Sequence, residues 1–183
     1  MTHVDYLPTM RRELERLKEI AEKAMTQLDD TLFFQSLGGD DNSVAILVKH
    51  LAGNMLSRWR DFLTSDGEKP DRNRDGEFEI GEANSRAQLM SFWQAGWTCL
   101  FSALDPLEDK DLDRLVEIRG EPHSVLQAIS RQLSHYAYHV GQIVFLSKHL
   151  LGAEWQTLSI AKGESETFNA EPDRYLESFS DRE

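Results

Sequence analysis

His135 and His139 stand four residues apart in the segment Ser134-His135-Tyr136-Ala137-Tyr138-His139-Val140-Gly141-Gln142. On a helix, positions i and i+4 are neighbours on one face, with Cβ atoms roughly 5–6 Å apart. Two imidazoles so placed can converge on one metal ion at about 2.0–2.1 Å from each nitrogen. The pair needs a third ligand. His50, amid another amphipathic segment and level with its apolar side, is the best candidate. His3 is terminal and His123 lies in a loop. His149 points about 80° away from His139 by helix geometry. In the zinc-protease pattern His-Glu-x-x-His, a catalytic glutamate follows the first histidine. Tyr136 occupies that place here, so the protease reading loses its general base.

The elements that must carry these residues are helices. Met10, Leu14, Leu17, Ala21, Ala24 and Leu28 recur at steps of three and four, which predicts an amphipathic helix over about 6–29. Pro8 fits its first turn. After a loop at 37–42, Asn42 or Ser43 can cap a second helix over about 43–63, with Val44, Leu47, Leu51, Met55, Trp59, Phe62 and Leu63 on its apolar side. A stripe of His50, Asn54, Ser57/Arg58 and Asp61 runs beside it, either solvated or lining a site. Residues 64–83 read as a polar, turn-rich connection. Ser85 with Gln88 makes a capping-box pair opening a third helix to about Leu104, where Asp105-Pro106 stops it. Residues 107–123 read as irregular, with a short extended piece within 115–122. A fourth helix runs from Ser124, again boxed by Gln127, to about Leu151, and Gly152 ends it. The tail from about 153 should wrap the surface with Trp155 tucked in. The fold class is all-α, a four-helix bundle with long inter-helix connections and a C-terminal tail, in one domain over 1–183.

Composition narrows the function classes. The net charge of −12 repels nucleic acid and argues against an anionic membrane surface. No apolar stretch reaches about 20 residues, and the N-terminus lacks the basic flank and apolar run of a signal peptide. The chain therefore reads as a cytoplasmic protein with a small-molecule substrate, and partners of nucleic acid or membrane are not expected. Cys99, the one cysteine, sits in an apolar run and reads as a small buried hydrophobe. Phe92, Trp93, Trp97 and Phe101 read as core or homodimer interface. Tyr136 and Tyr138 read as packing groups. Lys162-Gly163 could reach an anionic substrate.

A second motif competes. Asp71, Asn73, Asp75, Gly76 and Glu82 fit the spacing of a calcium-binding loop. Pro70 and its neighbours break the helix that should lead into such a loop, however, and Arg72 and Arg74 oppose a dication. An acidic connection of accidental spacing is the favoured reading.

Taken together, His50-Leu51-Ala52-Gly53-Asn54-Met55-Leu56-Ser57-Arg58-Trp59, the segment His135 to Ile143, and Trp155-Gln156-Thr157-Leu158-Ser159-Ile160 resemble the DinB-like superfamily. Within it the match is closest to a branch described as a domain of unknown function. The resemblance runs from the first helix to about Asn169, and His-x-x-x-His-x-Gly-Gln is its most specific element. It implies a four-helix bundle holding a divalent transition metal, zinc foremost and nickel as the alternative, on His50, His135 and His139. Asn54 and Arg58, one and two turns beyond His50, and Gln142 are candidates for outer support or substrate contact. Three imidazoles leave coordination positions open, which suits catalysis rather than a closed structural site. An open ion can activate water or a thiol. Relatives in the superfamily include thiol-dependent S-transferases and a thiol-dependent isomerase. The expectation is thus a metal-dependent, thiol S-transferase-like enzyme acting with a low-molecular-weight thiol. A metal-dependent hydrolase and a non-catalytic metal-stabilised scaffold or binding protein are the alternatives.

Overall fold

A computed structural model describes residues 6–81 and 84–170, which are mostly helical. Four long helices carry the core: α1 (Tyr6–Thr26), α3 (Val44–Trp59), α4 (Arg86–Leu104) and α5 (Val125–Leu151). Their starts are set locally. Ser43 caps α3 by accepting from Ile46 N at 3.3 Å. At α4 the Ser85 hydroxyl accepts from Gln88 N (3.2 Å) while Gln88 Oε1 accepts from Ser85 N (2.9 Å). Ser124 and Gln127 repeat that reciprocal arrangement at α5, satisfying backbone donors that the first turn leaves free. Gly152, with φ of 55°, closes α5 in a conformation that side chains disfavour.

α3 packs chiefly on α4, and α1 on α5. Gly96 of α4 lets Ala52 of α3 come close; a Cβ there would stand 3.1 Å from the Ala52 Cα. Leu14, Ala21 and Ala24 of α1, Val48, Leu51 and Met55 of α3, Trp93, Trp97 and Leu100 of α4, and Ile129, Tyr136 and Ile143 of α5 are buried in one cluster. Trp93 and Trp97 meet edge to face, with centroids 5.5 Å apart. The aromatic stripe of α4 is therefore largely core. Cys99 is half-buried, and burial pushes its thiol up.

Four local expectations need correction. α3 ends at Trp59, not near 63, because Arg60 is extended and Asp61 takes a positive φ of 50°. That reversal folds Phe62 back onto Trp59, with centroids 4.7 Å apart. A five-residue helix, α2 (Asp30–Phe34), is capped by Asp29 accepting from Leu32 N at 2.8 Å. It is too short to show periodicity. The short extended piece expected within 115–122 is part of a two-stranded antiparallel hairpin, so the irregular reading of 107–123 is corrected there while the fold stays mostly helical. β1 (Leu115–Ile118) pairs with β2 (Glu121–Ser124), with Leu115 opposite Ser124 and Ile118 opposite Glu121. Arg119 and Gly120 make its two-residue turn at φ of 57° and 73°, as hairpin twist requires. Finally, Tyr138 is 63 % exposed rather than packed.

From 153 to 170 the tail runs over the surface as expected. Gln27, just past the end of α1, holds it by a reciprocal pair with the Gln156 backbone (2.8 and 3.1 Å), and Trp155 packs half-buried on the core. A short helix, α6 (Ser165–Asn169), follows. No helix among the described residues is long and apolar enough to cross a membrane.

Candidate metal centre

α3 and α5 bring His50, His135 and His139 together. One ring nitrogen from each can be chosen so that all three lie within 4.8 Å of one another. Among the described residues this is the one such group of histidine, cysteine or acidic side chains. The three histidines, close together, could hold a metal ion. The ring pairs cross steeply, at 88°, 70° and 89°, so the imidazoles converge rather than stack.

The outer contacts decide which nitrogen each ring presents. His50 Nδ1 is 2.9 Å from Glu77 Oε2 and donates to that carboxylate. His139 Nδ1 is 2.7 Å from Gln142 Oε1 and donates to it. Both rings are therefore assigned the tautomer with a bare Nε2. His50 Nε2 lies 3.4 Å from His135 Nε2. Two nitrogens, each about 2.0–2.1 Å from a tetrahedral ion, stand about 3.3–3.4 Å apart. The donor set and this spacing fit a divalent transition metal. Burial first, then the neighbouring His139 and His50, pushes His135 down to about 3. Burial also lowers His139, against the opposing Gln142 contact. Both shifts favour the neutral imidazole, the form that a metal ligand takes. His135 Nδ1 is buried without a hydrogen-bond partner.

Glu77 is the residue that sequence reasoning missed. It sits in a 3-10 turn at Asp75–Phe78 that packs on α3, inside the segment expected to be a bland connection. Burial alone would raise its carboxyl, but hydrogen bonds from Arg72 and His50 outweigh that and hold it below its ordinary value. Arg72 donates to both its oxygens, Nε to Oε1 and Nη2 to Oε2, each at 2.8 Å. Arg72 Nη1 also reaches Glu68 at 3.1 Å. Such a carboxylate–histidine pairing orients a ligand ring and raises its basicity.

Gly53 makes room for this contact, since a Cβ there would overlap the Glu77 carboxylate. Gly53→Ala is therefore expected to weaken the hold on any metal bound through His50 about ten-fold or more, the usual scale for loss of an outer partner. A competition titration against a chromogenic chelator reads this directly. Wild-type affinity in the variant would show that Glu77 does not govern His50.

The stripe beside His50 is not solvated. Asn54 and Arg58 are 5 % and 4 % exposed. Asn54 Oδ1 accepts from the Tyr136 hydroxyl (3.2 Å), which itself accepts from Trp59 Nε1 (2.8 Å). Arg58 approaches Glu68 only at 3.8 Å, and its Nε and Nη1 are buried with no hydrogen-bond partner. Desolvation pulls its guanidinium below the ordinary value. Asp61 leaves the stripe because α3 has already ended.

A cavity of about 280 Å³ opens over the histidines and is lined also by Asn54, Arg58 and Gln132. The connection after α3 builds part of its wall. Ser57 Oγ donates to Gly67 O (2.9 Å) and accepts from Lys69 N (3.0 Å). Asp66 accepts from the backbone N–H of Arg119 (2.9 Å) and Gly120 (2.6 Å), pinning the hairpin turn beside the cavity.

The remaining sequence candidates fall elsewhere. His123 bonds the Glu121 carbonyl and Arg131, and His149 stacks on Phe145. Lys162 is exposed in the tail. His3 lies outside the described residues, as does Glu82 of the calcium-loop pattern. Of that pattern, Asp71 is committed to Arg60 and Asn73 accepts from Gly76 N at 3.1 Å.

A family model described as a protein of unknown function (DUF1572) matches residues 2–164. No curated protein matches the chain.

Proposed function

We propose, from the premise that the chain belongs to the DUF1572 family, that it is a divalent-metal-dependent enzyme of thiol S-transferase type. Its ligands would be His50, His135 and His139, in a four-helix bundle of DinB-like kind. One histidine from α3, two from α5 at i and i+4, and the Gly141-Gln142 ending support that relationship. Gln142, which holds His139 Nδ1, gives the ending a physical role.

A divalent ion on three neutral imidazoles would keep its charge and supply Lewis acidity to a thiol or to water. Zinc is the foremost candidate and nickel the alternative, since imidazole suits both. Glu77 and Gln142 fix the ring orientations, and Arg58 adds a buried positive charge beside them.

One observation carries the choice of reaction. Among the described residues no carboxylate lines the cavity, and the nearby Glu77 is committed to His50 and Arg72. Hydrolysis benefits from a general base that can move a proton off water. A thiol would give up its proton to bulk water if held by such an ion, and so would depend less on a built-in base. Zinc-loaded protein is expected to consume a low-molecular-weight thiol in the presence of a chlorinated aromatic electrophile, and His139→Ala should lose that turnover. Turnover of esters without any thiol would favour the hydrolase instead. Inactivity across both panels, with full metal occupancy, would favour a scaffold.

A further inference from the structure

The chain carries a net charge of −12, yet among the described residues the cavity over the histidines is lined by five arginines and no acid. They are Arg58, Arg72, Arg74, Arg119 and Arg131. Nearby acids do not balance them. Glu77 is taken by Arg72 and His50. Glu68 is shared among Arg72 (3.1 Å), Arg119 (3.5 Å) and Arg58 (3.8 Å). Arg74 stands 3.7 Å from the exposed Asp75 and lies over the Phe78 ring. Arg131 has only His123 Nε2, at 3.3 Å, which brings no carboxylate.

Arg58 is the most informative member. It is 4 % exposed, and two of its donor nitrogens have no partner. A buried guanidinium with unmet donors costs free energy unless an acceptor arrives. Gly67 presses on the same group, since a Cβ there would overlap Arg58 Nη1. The side chain is held in place beside the site. Planar guanidinium groups match carboxylate and phosphate oxygens two at a time.

We propose that this cavity binds a small molecule through an anionic group, a carboxylate or a phosphate, held by Arg58 and Arg131 next to the three histidines. The proposal rests on the histidines being the reacting centre, and it names the substrate class for that centre. The cavity volume lies near the lower end for small-molecule sites, which run from about 300 Å³.

The test uses inorganic phosphate and malonate as probes, titrated into chelator-treated and, in parallel, zinc-loaded full-length protein by calorimetry at constant ionic strength. Saturable one-to-one binding of at least one probe is expected, and the preferred probe tells phosphate from carboxylate recognition. Arg58→Gln and Arg131→Gln should each weaken it about ten-fold, while the distant Arg16→Gln should leave it unchanged. Arg131 is exposed, so its variant remains informative if Arg58→Gln fails to fold. Three results would overturn the proposal: no saturable binding, equal weakening by Arg16→Gln, or binding that appears only with metal and ignores both arginines. Metal stoichiometry, measured separately, reports on the histidine assignment, so the two failures are distinguishable.

Discussion

His139→Ala is expected to abolish stoichiometric metal binding. The wild-type protein, produced without a histidine tag and loaded with zinc, should retain about one ion per chain after dialysis, by analogy with other three-histidine sites. The variant loses one of three converging nitrogens and also strands Gln142, whose Oε1 now accepts from His139 Nδ1. Loss of an outer partner alone costs about 10–100-fold in affinity, so loss of a ligand should exceed that range. The fold should survive. His139 is at the edge of the core, 9 % exposed, while Tyr136, Val140 and Ile143 hold α5 in place. Elemental analysis and melting curves with and without chelator check both halves. One ion per chain in a folded variant would refute the site.

Glu77→Gln should have the largest effect on stability. The carboxylate is buried and satisfies Arg72 through both oxygens as well as His50. A neutral amide leaves the Arg72 cation, whose side chain is 4 % exposed, without its main partner. Breaking a buried pair from one side costs about 3–5 kcal/mol. Arg72 keeps Glu68, so the low end, about 3 kcal/mol, is expected. For a chain of this size that is about a 6–12 °C fall in melting temperature. Metal affinity should fall with it, because His50 loses the contact that fixes its tautomer. The comparison is run on chelator-treated protein, so that metal loss does not add to the shift. A variant melting within about 2 °C of wild type, less than 1 kcal/mol by the same scaling, would show the carboxylate to be dispensable.

How much of this was readable in the chain depends on the range of each interaction. Ser85–Gln88 and Ser124–Gln127 act within one helical turn, so their residue types alone announce where α4 and α5 begin. Gly152 announces where α5 stops. The end of α3 was less legible. Phe62 and Leu63 continue the apolar pattern, and only the backbone reversal at Asp61 shows that they serve a corner instead. The 64–80 connection was misjudged for a related reason. Its many charges resemble a solvated loop, yet Lys69 and Glu77 are buried and the Arg72 side chain is almost covered, because they neutralise one another or bond the backbone. The spacing Arg72-x-x-x-x-Glu77 in a turn region was a faint signal of pairing. Nothing in it pointed to His50.

The sequence by itself determined the helical character of the chain, most helix boundaries, and the shared face of His135 and His139. Those follow from periodicity and capping, which act over a few residues. The tertiary structure decided what surrounds that face. His50 comes from 85 residues away, its Glu77 partner from 27 residues beyond it, and the Asp66 clamp on the hairpin turn spans more than 50. Contacts at that separation depend on how α3 and α5 meet and on how the connection folds back over them. The arginine-lined cavity is for the same reason invisible in a strongly acidic composition. Net charge sums over the whole chain, whereas a substrate meets only the side chains that packing gathers at one place.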